Sequence, residues 1–373
     1  MPILFDKTRI NNLELKNRFV RSATWEGMAT VKGEVTDQLI HKMAELAQND
    51  VGLIISGHAY VMQNGQAGIK QLGVYDDKML PGLKKMADEV HRAGGKIFLQ
   101  IAHAGAQADT KLTKMEAFGP SSIKSRQGDM CREMALSDMG DVVRSMVEAG
   151  LRAEKAGFDG VQIHAAHGYL FSQFLSPYAN FRRDEYGGPI DNRARIILDV
   201  IKGIRSNLGA HFPILIKINS EDFIDQGLKT DDMLELAILL EESGIDAIEM
   251  SGGLIINPGS THCVRKEHPE TFEEEAYYRE AAREFKKRIK VPLILVGGIR
   301  SFEVSENLVS NGIADYISFG RPLIAEPGLV KRWSSGDVEK TKCVSCNKCF
   351  KPILEGKGVA CQVFNKEKPN KSL

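Results

Sequence analysis

The sequence has no surplus of either charge. Its 49 Lys and Arg residues balance 49 Asp and Glu, for a formal net charge of +0. That leaves no electrostatic footprint for nucleic acid or for an anionic membrane surface. No apolar run is long enough to span a bilayer. Asp6, Lys7 and Arg9 interrupt the start before the apolar core of a secretion signal could form. The chain is therefore expected to be soluble and cytoplasmic. No G-x-G-x-x-G follows the first apolar strand, which argues against a dinucleotide-binding doubly wound sheet. Internal repeats and low-complexity segments are also absent. Cysteine is scarce until the end: Cys131 and Cys263 stand alone, and Cys343, Cys346, Cys349 and Cys361 crowd the C-terminal region. In a large chain without a secretion signal, such a cluster suggests metal ligation more than disulfides.

What is present is a regular alternation of apolar runs with helical patterns. Strands are expected at 19–24, 51–57, 96–103, 160–166, 213–219, 247–252, 292–298 and 316–321. Helices are expected near 36–49, 77–94, 137–157, 189–208, 230–243, 273–289 and 301–312, with a last one near 327–335. Runs such as GLIIS, KIFLQI and PILIKI are nearly continuously apolar, as parallel strands buried on both faces should be. Eight strand–helix units point to an α/β fold, a (β/α)8 TIM barrel. The Asn11-Asn12 turn within 8–17 suggests an N-terminal hairpin capping the barrel floor. The barrel is expected to occupy 1–335, with 336–373 a Cys-rich C-terminal extension packed on it.

A barrel places its working groups at the C-terminal ends of its strands. There the sequence puts Ser22-Ala23-Thr24-Trp25, Gly57-His58, Gln100, His103, Lys217, Asn219, Gly297-Gly298 and Gly320-Arg321. Gly297-Gly298 could simply make a tight turn. With Gly320-Arg321 ending the next strand, a phosphate site is favoured, because glycine amides approach a phosphate closely and arginine pairs with it bidentately. A lone buried lysine is costly, so Lys217 should face an anion. A flavin ring would serve, since the reduced ring carries negative charge near N1. Gln100 could bond the ring edge or be a satisfied core amide. Two long connections, roughly 104–136 and 253–272, are expected to be binding elements or lids.

The densest group of polar side chains follows the fourth strand. Val161–Gly188 reads VQIHAAHGYLFSQFLSPYANFRRDEYGG and sets His164, His167 and Tyr169 within six residues. Two histidines at this spacing could hold a metal, be satisfied by backbone, or act on a substrate.

The stretch HAAHGYLFSQFLSP…RRDEYGG resembles the signature of the old yellow enzyme family of FMN-dependent ene-reductases. NRFVRSAT, GLIISGHAYV, QIAHAG, LVGGI and SFGRPLI fall in that family's order. The resemblance covers nearly the whole chain and implies FMN over the top face of the barrel. Carried over, the flavin lies against Ser22, Ala23, Thr24 and Trp25 and meets Gly57, His58, Gln100 and Lys217. Its phosphate lies at Gly297, Gly298, Gly320 and Arg321. His164 and His167 hold a substrate carbonyl oxygen, and Tyr169 donates the proton. The implied substrate is a small molecule with an α,β-unsaturated carbonyl or thioester, and NAD(P)H reduces the flavin in many relatives. Family members commonly have arginine at Lys217, and lysine keeps the charge without the fork. Some have cysteine where Trp25 stands, which argues here against a covalent flavin. Trp25 could wall the pocket or simply pack.

The tail spaces Cys343, Cys346, Cys349 and Cys361 as C-x2-C-x2-C-x11-C. Close thiolates suit an iron–sulfur cluster or structural zinc. The pattern resembles the 4Fe–4S motif of the 2,4-dienoyl-CoA reductase and trimethylamine dehydrogenase branch, which has one more residue between the second and third cysteines. Those relatives continue into FAD- and nicotinamide-binding domains. Their absence here implies electrons from a separate electron-transfer protein. Homo-oligomerisation is also expected. Three other readings stand beside the ene-reductase: an amine dehydrogenase, a non-redox lyase using Lys217 as a Schiff base, and a flavin-binding electron-transfer subunit without a substrate of its own.

Overall fold

Apolar strands that must bury both faces have two options, an open sheet covered on each side or a closed one. In the computed structural model, which describes residues 3–125, 127–255 and 263–364, the sheet closes. The barrel strands are β1 (Phe19–Arg21), β2 (Leu53–Ile55), β3 (Ile97–Ala102), β4 (Gly160–Ala165), β5 (Ile214–Asn219), β6 (Ala247–Ser251), β7 (Leu293–Val296) and β8 (Tyr316–Phe319). Each pairs in parallel with the next, and β8 pairs with β1. No edge is left among them, and the fold is the expected (β/α)8 barrel.

The register decides which side chains meet inside. Lys217 on β5 is level with His164 on β4 and with Glu249 on β6, and Gln100 on β3 is level with Gln162 on β4. Because side chains alternate along a strand, Lys217 and Asn219 share one face of β5. Below this polar layer the interior is apolar, filled by Val20, Leu53, Ile55, Phe98, Leu215, Ala247 and Ile294. The N-terminal hairpin, Thr8–Ile10 paired antiparallel with Leu13–Leu15, adds Ile10 and Leu15 to that cluster and closes the floor. Asn11 anchors the hairpin, donating to the Asp246 carboxylate at 2.9 Å.

The surrounding helices are amphipathic. Asp37–Gln48 buries Leu39, Ile40, Met43, Ala44, Leu46 and Ala47, and Thr36 caps it by accepting from Leu39 N. One helix starts later than its pattern suggests, at Arg279 rather than near 273. Ala276 has a positive φ of 59°, and Tyr277 N donates to the Gly297 carbonyl. That bond holds the segment on the β7 turn instead of letting it coil. The connection 104–136 carries short elements of its own, including Phe118-Gly119 paired with Arg132-Glu133. Of the connection 253–272, residues 256–262 lie outside the described ones. No helix among the described residues is long and apolar enough to cross a membrane.

The C-terminal region returns to the barrel mouth. Val359 N donates to the Glu26 carbonyl at 2.7 Å, Lys70 Nζ to the Gly356 carbonyl at 2.7 Å, and Ile353 is fully buried.

Candidate active site

The C-terminal ends of the strands surround a cavity of about 660 Å³. That is within the range of cofactor and substrate sites. Ser22, Ala23, Thr24, Trp25, His58, Gln100, His164, His167, Tyr169, Lys217, Gly297, Gly298, Gly320 and Arg321 all line it. Gly57 stands behind the wall. Its N–H donates to Glu26 Oε1 at 2.9 Å, and a β-carbon there would lie 2.0 Å from Glu26 Oε2.

The histidine–tyrosine group is tightly built. The His164 and Tyr169 ring centroids are 4.9 Å apart, those of His164 and His167 5.4 Å, and those of His58 and Tyr169 5.4 Å. His167 adopts a left-handed φ of 63°, and its N–H donates to Asn219 Oδ1 at 3.2 Å. Its Nε2 is 2.8 Å from Ser251 Oγ. The Tyr169 hydroxyl is 3.4 Å from His58 Nε2. His164 Nδ1 and Trp25 Nε1 are buried without a hydrogen-bond partner among the described residues. Buried polar atoms are rarely left so, and both belong to residues lining the cavity. A ligand there would satisfy them.

Burial pushes the imidazoles toward the neutral form. His58 falls to about 4 and His103 to about 3. His164 lies well below its ordinary 6.5, from burial first and then the His167, His58 and Lys217 charges. Each binds its proton less readily folded than unfolded. The unfolded chain therefore takes up more protons as pH drops below about 6.5, and stability falls with it toward pH 4. Thermal melts should show Tm level above pH 7 and declining below 6.5. A Tm that rose on acidification would contradict these environments.

Lys217 has an anion inside the protein. Its Nζ is 3.4 Å from Glu249 Oε1 and donates to Ser22 Oγ at 2.7 Å. The sequence requires an anion beside Lys217 and offers a flavin ring for it; within the protein Glu249 faces the ammonium. Gln100 donates through Nε2 to Gln162 Oε1 at 2.7 Å while also lining the cavity. Glu249 and Gln162 were missed by sequence reasoning. The available signal was a carboxylate two residues before Ser251 in a parallel strand, hence on the same face.

Gly297 and Gly298 have φ of 117° and 73°, and a β-carbon at either would lie 2.6 Å from the rings of Tyr278 and Tyr277. Positive φ and close rings both exclude side chains. Gly298→Ala is expected to cost about 1–3 kcal/mol of stability and to weaken uptake of a ligand at this turn. Denaturant melts together with FMN titration of the variant check both.

Arg321 is shared with the tail. Its Nη1 donates to the Ser345 carbonyl at 3.0 Å and to Asn347 Oδ1 at 2.7 Å. Asn347, Phe350, Lys351 and Leu354 complete one side of the cavity, which cysteine spacing alone did not reveal. Arg321 also borders a second, smaller cavity lined by Cys343, Cys346, Cys349 and Cys361. All six cysteines are free. The four tail cysteines share the wall of that cavity, but no three His, Cys, Asp or Glu among the described residues are arranged to hold a metal ion. The expected 4Fe–4S or zinc site therefore gains a shared cavity without a ready coordination set.

A closed barrel with a cofactor-sized cavity at the C-terminal ends of its strands defines a class of barrel enzymes whose site is built from several strand ends. The protein-family model described as NADH:flavin oxidoreductase / NADH oxidase matches residues 3–339. An NADH oxidase of Thermoanaerobacter brockii is 35% identical over 350 residues, covering 93% of this chain and 53% of that protein. The chain thus spans about half that relative's length. The structure of a 2-naphthoyl-CoA reductase with 2-naphthoyl-CoA matches at TM-score 0.88 and 28% identity, over 96% of this chain and 56% of that one. An old yellow enzyme homologue from Zymomonas mobilis matches at TM-score 0.79 and 26% identity, over 99% of this chain and 100% of that one. The chain belongs to the NADH:flavin oxidoreductase / NADH oxidase family, the family of the old yellow enzymes. Membership supports FMN as cofactor and NAD(P)H as reductant.

Proposed function

We propose that this chain is an FMN-dependent ene-reductase acting on an alkene conjugated to a carbonyl or thioester. The observation that carries the proposal is the unpartnered His164 Nδ1, buried beside Tyr169 and His167 in the cavity. FMN, when bound, would supply hydride to the substrate β-carbon. Ser22 to Trp25, His58, Gln100 and Lys217 would hold its ring, and Gly297, Gly298, Gly320 and Arg321 its phosphate. His164 and His167 hold the substrate oxygen and stabilise the charge it gains. Tyr169 gives its hydroxyl proton to the α-carbon. The neutral state of His164 suits this role, because an uncharged imidazole N–H donates to an oxyanion without losing its own proton.

The thioester option is supported by the naphthoyl-CoA reductase likeness. The lyase alternative is disfavoured, because a lysine ion-paired to Glu249 and bonded to Ser22 is a poor amine nucleophile. The barrel, 1–335, carries the reaction. In the extension, 336–373, Cys343, Cys346, Cys349 and Cys361 would hold a 4Fe–4S cluster, and electrons would come from NAD(P)H or an external electron-transfer protein. The place of all four cysteines around one cavity supports this part.

The reductase reading is tested by anaerobic incubation of flavin-loaded protein with NAD(P)H and a 2-enone. Product heavier by two hydrogens is expected. NAD(P)H consumption that proceeds only with oxygen and ignores the enone would refute it. Iron, acid-labile sulfide and zinc measured on anaerobically purified protein decide the tail. Zinc without sulfide would refute the cluster, and rapid flavin reduction by NADH alone in a Cys346→Ser variant would refute the need for a separate electron donor.

A further inference from the structure

One buried ionisable group has no part in the reaction described above. Glu249, on β6, is fully buried and does not line the cavity. Its Oε1 accepts from Ser318 Oγ at 2.9 Å and faces Lys217 Nζ at 3.4 Å, and its Oε2 accepts from Gln162 Nε2 at 2.9 Å. Gln162 in turn accepts from Gln100. The carboxylate therefore sits one layer behind the wall, joined directly or through Gln162 to Ser318, Lys217 and Gln100, three residues that do line the cavity.

We propose that Glu249 is a positioning residue that sets the flavin's reduction potential by balancing the charge of Lys217. The inference rests on the flavin seating proposed above. Lys217 is the cation placed to attract the negative charge a flavin gains on reduction. An ammonium already paired with a carboxylate attracts a second anion less strongly, and the difference is large in a low-dielectric interior. The pair also draws the ammonium toward Glu249, which lies behind the wall. Its presence holds the reduced flavin at higher free energy, where it is the stronger hydride donor. Removing the carboxylate should favour the reduced form.

The test is the flavin midpoint potential of FMN-loaded Glu249→Gln, read by anaerobic spectroelectrochemical titration. An upward shift corresponding to about a tenfold change in the reduced-to-oxidised equilibrium is expected, about 30 mV for a two-electron couple. The same substitution in a Lys217→Met background should shift the potential far less, because Glu249 acts through the lysine. An unmoved potential in Glu249→Gln, or equal shifts in both backgrounds, would overturn the proposal. Should Glu249→Gln fail to fold, Glu249→Asp keeps the charge and withdraws it by one methylene. It should shift the potential upward by less, and no shift would again overturn the inference. Protein that takes up no FMN overturns the flavin reading and this inference together. A flavoprotein with an unmoved potential overturns this inference alone.

Discussion

Tyr169→Phe is expected to lower alkene reduction by about 10²–10⁴-fold while flavin reduction by NAD(P)H continues near its original rate. The substitution removes one oxygen and keeps the ring that packs 4.9 Å from His164 and 5.4 Å from His58. Folding and flavin uptake should therefore survive. The proton delivered to the α-carbon is lost, together with the hydroxyl's 3.4 Å contact to His58 Nε2. Rapid mixing separates the two half-reactions: the variant should bleach its flavin normally and return the colour slowly when an enone is added. A solvent isotope effect on colour return that is present in the native protein should change in the variant. Equal rates in both half-reactions would remove Tyr169 from the mechanism and leave His58, 3.4 Å from its hydroxyl, as the next proton source to examine.

His164→Ala is the second large effect. A donor aimed at a developing oxyanion is worth about 10²–10³-fold in rate, roughly 2.7–4 kcal/mol. His164 is only 5% exposed, and its Nδ1 has no partner among the described residues, so no bond to a described residue is lost with that nitrogen. The loss should fall on kcat more than on flavin affinity. His167 is expected to behave differently on substitution, because its N–H and Nε2 tie β4 to Asn219 and Ser251. A variant there disturbs the loop as well as the oxygen site. If His164→Ala kept its kcat and merely raised KM, His164 would be a binding group with no preference for the transition state.

Much of the barrel was legible because its signals are local. A fully apolar strand such as Leu293–Val296 announces itself by composition, and its helix by period. The misplaced ends have local causes too. β7 stops at Val296 instead of 298 because Gly297 and Gly298 turn into positive φ, and β8 stops at Phe319 because Arg321–Ala325 winds into a short helix. The site was legible where side chains cluster in sequence, as His164, His167 and Tyr169 do. It was not legible where partners meet across strands. Pairing Lys217 with Glu249 needs the β5–β6 register, and that register follows from closure of the whole barrel. The tail posed the same problem over a longer distance. Cysteine spacing hinted at a ligand, but nothing local placed Asn347 against Arg321 or Leu354 at the cavity.

The most direct test of the account is an anaerobic titration followed by visible absorption. Purified protein reconstituted with FMN is reduced by dithionite, and a 2-enone is then added in measured portions. The flavin band is expected to bleach and then to return in proportion to the enone, one oxidised flavin per alkene consumed. Protein that binds no FMN, or reduced flavin that stays bleached with every activated alkene offered, would contradict it.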